Sequence, residues 1–182
     1  MRRWNFSWIR EPIFFTEIMP RERRIFWSRS TFAGRPSHTK GAETLNTQME
    51  LPDGRIVCGK TSDLLGASAA LLLNALKELA GISHETHILS PAAIEPIQIL
   101  KTSYLGSRNP RLHTDEILIA LSSSTALNPA AQKALEQIPN LKGCQVHTSV
   151  MLSQVDIQTF KRLGIQLTCE PIYEHKSILH NA

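Results

Sequence analysis

Residues 46–182 predict an α/β fold: a mixed or largely parallel sheet with packed helices, opened by a β-hairpin. Three observations carry this. Short apolar runs alternate with helix-period segments along the chain. Pro52-Asp53-Gly54 separates two such runs as a turn, with Pro fixing φ, Asp bonding its own backbone and Gly taking positive φ. An Ala- and Leu-rich stretch that Gly81 terminates reads as a buried helix.

The elements follow in order. Met49-Glu50-Leu51 and Arg55-Ile56-Val57-Cys58 are the hairpin arms. The long helix is expected from about Ser62 to Ala80, with Thr61, Ser62 and Asp63 offering N-cap oxygens. Its leucines surround most of its circumference, and Gly66, Ala67, Ala69 and Ala70 permit close approach of a neighbouring backbone. His87-Ile88-Leu89 reads as a short buried strand. Ser90-Pro91 starts a helix, Pro96 breaks or restarts it, and Gly106 ends it after an apolar stripe of Ile97, Leu100 and Tyr104. Glu116 to Leu121 (EILIAL) reads as a central strand. Asn128-Pro129 caps a helix to about Ile138, and Cys144 to Val150 is a strand. Ser153 caps a helix through Phe160 with Gly164 as its stop, and Ile165 to Cys169 is the last strand.

A compositional seam lies near residue 45. Residues 1–45 hold all three tryptophans (Trp4, Trp8, Trp27), five of six phenylalanines and eight of twelve arginines. They carry nine Lys/Arg against four Asp/Glu, so the net charge of +4 comes entirely from this segment. Residues 1–45 are therefore expected to be a poorly ordered segment foreign to the domain at 46–182. Arg2-Arg3 gives a positive start, but Arg10 and Glu11 interrupt before any signal-peptide core. Arginines with aromatics can bind nucleic acid, yet these basic residues show no shared face, so that reading is not favoured. No run approaches the roughly 20 apolar residues that cross a bilayer. Cys58, Cys144 and Cys169 are odd in number and widely spaced, which argues against a disulfide framework and for a reducing cytoplasm.

Gly54-Arg-Ile-Val-Cys-Gly59-Lys60-Thr61 matches the phosphate-loop pattern GxxxxGK[ST] literally. The mechanism needs a loop between strand and helix, whereas Arg55–Cys58 is itself a β-branched alternating run. A strand of roughly 13 Å cannot curl into a phosphate nest. Lys60 and Thr61 are thus weak phosphate candidates. His84-Glu85-Thr86-His87 is one residue short of the zinc motif HExxH and falls between a helix stop and a strand, so no metal site is expected there. The segment 107–115 is denser in chemistry. Arg108, Asn109, Arg111, His113 and Asp115 form a loop suited to an anion or an interdomain contact; Arg–Asp pairing within the loop is the bland alternative. Ser90, Ser122–Thr125 and His147-Thr148-Ser149 follow the expected strands, where they could rim a site or equally cap the helices that follow. No Ser/His/Asp order, nucleophile elbow or paired-carboxylate motif stands out.

From Met49 onward the chain resembles the carboxyl-terminal domain of an uncharacterised bacterial family, domain-of-unknown-function family 1846, also called uncharacterised protein family 0371. The stretches that carry the resemblance are LPDGRIVCGKTSDLLGASAALLLNALKELAGI (51–82), SPAAIEPIQILK (90–101), LGSRNPRLHTDEILIALS (105–122), CQVHTSVMLSQVD (144–156) and LGIQLTCEPIYE (163–174). The resemblance implies a fragment of a longer protein whose amino-terminal domain carries a glycine-rich, P-loop-like segment. That domain is then the expected partner, and self-association is left open. The expected function is that of an accessory domain in a larger cytosolic protein, without catalysis of its own. The alternative is one part of a nucleotide- or phosphate-dependent site that the missing domain completes. No cofactor is identified.

Overall fold

A computed structural model describes residues 46–149 and 151–170. The expectations for residues 1–45 lie outside the described residues. The fold is α/β. Asn46–Glu50 (β1) and Ile56–Lys60 (β2) pair antiparallel, with Glu50 opposite Ile56 and Asn46 opposite Lys60. The turn is held as its sequence suggests. Asp53 Oδ1 accepts from the Arg55 amide at 3.0 Å, and Gly54 sits at φ 82°. Among the described residues four strands form one sheet in the order β2-β1-β3-β4. Gln145–Thr148 (β3) runs antiparallel to β1, and Gln166–Cys169 (β4) runs parallel to β3.

Ala67–Leu79 (α1) lies across this sheet, with every residue from Ala67 to Lys77 buried. It seats against β2 at Gly59. A Cβ at position 59 would stand 2.3 Å from the Ala67 carbonyl oxygen and 2.4 Å from the Leu71 nitrogen. Both are backbone atoms of α1, so no side-chain movement relieves the clash. The glycine of the GKT triplet therefore serves helix–strand packing inside a paired strand. Asn74 locks the contact by donating to the Cys58 carbonyl at 2.9 Å.

The helix starts later than expected. Gly66 is its N-cap, and Ser62 instead turns the preceding loop by accepting from the Leu65 amide at 3.1 Å. That loop pairs with residue 112. Leu112 N donates to Leu64 O at 2.9 Å, and Gly66 N donates to Leu112 O at 3.2 Å.

Two expected strands are absent. Residues 116–121 belong to a helix, Thr114–Ser124 (α3). Ile117, Ala120 and Leu121 are buried at i, i+3, i+4 spacing while Ile119 is exposed, which is helical periodicity. Glu116 also accepts from the His113 amide at 2.7 Å and so closes the helix start. Ile88 and Leu89 are buried but belong to no strand. The carbonyls of His87 and Ile88 accept from Asn128 Nδ2 at 3.3 Å each, so a side chain takes the place of a neighbouring strand.

Pro91–Ile99 (α2) runs through Pro96 without breaking and continues as a π-helical turn, Leu100–Tyr104. Pro129–Leu135 (α4) is capped by Asn128, and a 3-10 turn follows at Ile138–Leu141. Gln154–Arg162 (α5) is capped by Ser153 and joins the two parallel strands as a βαβ unit. Among the described residues no helix is long and apolar enough to cross a membrane.

Replacing Gly59 by Ala should destabilise the domain by about 3 kcal/mol or more, the upper range for an overpacked core. Chemical denaturation of the variant checks this; a loss under about 0.5 kcal/mol would show that α1 does not lie this close to β2.

Candidate functional site

One cleft of about 80 Å³ opens where the N-terminal end of α1, the 107–113 segment and the start of α5 meet. The wall made by residues 107–113 is braced along its length. Ser107 Oγ accepts from Asn109 N at 3.3 Å, and Asn109 Oδ1 accepts from Arg111 N at 3.1 Å. Gln98 Nε2 donates to Pro110 O at 3.1 Å. Lys101, only 7% exposed, donates to Arg111 O at 2.7 Å and to Glu116 Oε2 at 2.8 Å. Arg111 in turn donates through Nε to Ser62 O at 2.9 Å, which ties this wall to the loop leading into α1.

The opposite tie is Asp156, in the first turn of α5 and 7% exposed. Its Oδ1 accepts from Thr114 N at 3.0 Å and from Thr114 Oγ1 at 2.9 Å. Its Oδ2 accepts from Ser153 Oγ at 2.7 Å and lies 3.1 Å from His113 Nδ1. Burial pushes the Asp156 carboxyl up, but the bonds from His113, Ser153 and the Thr114 amide outweigh it and hold the group below its ordinary 3.8. The bond to Asp156 raises His113 above its ordinary 6.5 against the opposing effect of burial. Both directions describe an imidazolium–carboxylate pair whose Nδ1–H donates to Oδ2.

Ser153, His113 and Asp156 superficially suggest a hydrolytic triad. Ser153 Oγ lies 3.4 Å from His113 Nδ1, the same ring nitrogen that faces Asp156. A triad nucleophile must face the other ring nitrogen, with the acid behind the imidazole. Here serine and imidazole both brace one carboxylate.

The sequence-derived candidates divide. Thr61, Asn109, Arg111 and His113 line the cleft together. Arg108 and Asp115 are exposed and do not line it; Asp115 Oδ1 accepts from the Glu116 amide at 2.8 Å. Lys60 ends β2 and does not line it either. Ser122–Thr125 cannot rim a strand end, because α3 replaces that strand. Their hydroxyls bond back along the helix, Ser123 to Ile119 O and Ser124 to Ala120 O. Sequence reasoning missed Asp156, Thr114, Ser68 and Thr47. Ser153-x-x-Asp156 has the form of a capping pair, yet nothing local connects it to His113, 43 positions away.

Residues 30–179 match the family described as "Domain of unknown function DUF1846, C-terminal". A UPF0371 protein of Corynebacterium efficiens is 62% identical over 128 residues, covering 70% of this chain and 26% of that protein. A Corynebacterium glutamicum UPF0371 protein is 59% identical over 130 residues, 71% of this chain and 26% of its own. A Streptococcus uberis relative is 42% identical over 161 residues, 88% of this chain and 31% of its own. The chain thus spans between a quarter and a third of the curated relatives it matches.

The charge pair sets a pH dependence. His113 is raised, so its contribution to stability is complete below its ordinary 6.5 and is lost as pH rises through the folded value. Asp156 is lowered, so its contribution is complete above its ordinary 3.8 and is lost as pH falls through the folded value. The pair should therefore stabilise most between those two values. Denaturation of the native chain and of His113→Gln across pH 5 to 9 checks this. The native advantage should shrink above neutrality; an advantage independent of pH would contradict the ion pair.

Proposed function

We propose, for a chain that belongs to the family of domain of unknown function 1846, that residues 46–182 act as an accessory α/β domain of a larger cytosolic bacterial protein. In this reading the domain docks onto the part of the family protein beyond the match and contributes no catalysis of its own. The observation that carries it is an apolar surface on α2 and its π-helical extension. Ile99, Leu100, Tyr104 and Leu105 are 47, 51, 78 and 73% exposed within seven residues. A concentration of large apolar side chains at one surface is the mark of an interaction site. Relatives of which this chain covers 26–31% supply the chain to cover it. Three cysteines as free thiols support a reducing compartment.

A second reading has its own support. Thr61, Asn109, Arg111 and His113 converge on one cleft, as one part of a nucleotide- or phosphate-dependent site completed by the amino-terminal domain would require. Arg108 and Asp115, exposed beside it, are then candidates for the contact with that domain.

Co-expressing this chain with the segment of the Corynebacterium glutamicum relative that lies outside the match tests the docking. The two should co-elute on gel filtration. Tyr104→Glu with Leu105→Glu should separate them while changing the domain's own stability by no more than about 0.5 kcal/mol. Charged variants that still co-elute, or native chains that never do, would contradict the reading.

A further inference from the structure

The two edges of the sheet are built differently. The β2 edge is guarded: Asn74 Nδ2 donates to the outward Cys58 carbonyl, and charged Lys60 ends the strand. β4 forms the other edge. Its parallel pairing with β3 decides which of its backbone groups are used. Gln166 N donates to Cys144 O at 2.9 Å and Glu170 N to Thr148 O at 3.0 Å, so residues 166, 168 and 170 face β3. Leu167 and Cys169 alternate with them. Their N–H and C=O groups turn away from the sheet, where no strand lies among the described residues. Natural edges are guarded by charged side chains, proline, bulges or brevity. Gln166–Cys169 holds no charge and no proline, and it pairs with β3 residue for residue, without a bulge. Its guard is brevity alone.

These outward groups are complementary to themselves. Set two β4 strands antiparallel with Thr168 opposite Thr168 of the second copy, and Leu167 of each strand stands opposite Cys169 of the other. Opposed residues whose groups both point into the seam exchange two bonds, so every outward N–H and C=O of both strands is paired. Sliding the strands by two residues loses bonds in either direction. One slide brings in Ile165, whose amide already donates to Phe160 O at 3.0 Å. The other brings in Pro171, which has no N–H. Centred on Thr168, the pairing sets Gln166 opposite Glu170, so no like charges meet across the seam. Thr168 itself is exposed, and Leu167 and Cys169 are half-buried. An unrelated extended segment has no such reason to find this register.

We propose that β4 is a self-association edge, at which two copies of this chain join antiparallel through the backbone of Leu167 and Cys169 with Thr168 at the two-fold axis. The two sheets then continue as one. This goes beyond the docking reading and uses a different surface from the apolar patch on α2, so either can fail without the other. A seam of one short strand is small beside the interface of a permanent dimer, and the copies therefore exchange between monomer and dimer.

The test is disulfide trapping in the full 182-residue chain carrying Cys169→Ser, which leaves the buried Cys58 and Cys144. Added to that background, Thr168→Cys sets two thiols face to face in a non-hydrogen-bonded pair, with Cα atoms roughly 4.5 Å apart and within disulfide reach. Gln166→Cys instead leaves the two thiols roughly 13 Å apart along the strands. Mild oxidation should give a covalent dimer with Thr168→Cys and none with Gln166→Cys. Sedimentation of the native chain should show a mass that rises with concentration. Cys169→Pro removes an outward donor from each strand and spares the ladder to β3, so it should weaken dimerisation about tenfold. If Thr168→Cys fails to fold, sedimentation decides alone. Equal cross-linking at both positions, a native chain monomeric at every concentration, or a dimer indifferent to Cys169→Pro would overturn the proposal. So would a Thr168→Cys cross-link that disappears on co-expression with the remainder of the Corynebacterium glutamicum relative, since the edge would then belong to that remainder.

Discussion

The closeness of α1 to β2 is the constraint on which the other features depend. A helix lies this deep on a strand only where the strand offers no Cβ, and Gly59 is that position. Once seated, α1 buries Leu71, Leu72, Leu73 and Leu76 and supplies the largest part of the core. Its polar residues are then forced into specific bonds. Asn74 donates to the strand at Cys58 O, and Lys77, fully buried, donates to the His84 carbonyl in the turn beyond the helix. Burial lowers the Lys77 ammonium from its ordinary value, as expected for a cation placed in a core. The same seating fixes where the helix begins, and so where the cleft lies.

The cleft wall is held by different means. Beside the buried Leu112, a network of polar bonds holds it: Lys101 to Arg111 O and Glu116, Arg111 to Ser62 O, and Asp156 to both Thr114 and His113. A carboxylate with four donors in a low-dielectric site is strongly held only while every partner is present. The domain therefore has two tiers, an apolar core around α1 and an electrostatically clamped rim. The rim can meet a ligand or a partner without disturbing the core.

Much of the fold was legible where a local signal had one physical meaning. Pro52-Asp53-Gly54 encodes its own turn, and Asn128-Pro129 and Ser153 encode helix starts. Gly81, Gly106 and Gly164 each take the positive φ that ends a helix. Glu116–Leu121 was misread because a short apolar run fits a buried strand or a buried helix equally; the His113–Glu116 bond that decides it is a helix-start contact. His87-Ile88-Leu89 misled for the opposite reason, since the His87 and Ile88 carbonyls accept from Asn128, some 40 positions on. In the site, the basic residues Arg111 and His113 were visible by composition alone. Asp156 was not, because a carboxylate that orders a distant histidine leaves no trace in its own neighbourhood.

The two-tier account is tested most directly by amide hydrogen exchange on Asp156→Asn, which keeps the shape of the side chain and removes its charge. Protection should fall at residues 107–116 and 151–156 and stay at native levels through α1, β1 and β2. A uniform loss of protection across the domain would show that the clamp belongs to the core, and the division drawn between rim and core would be wrong.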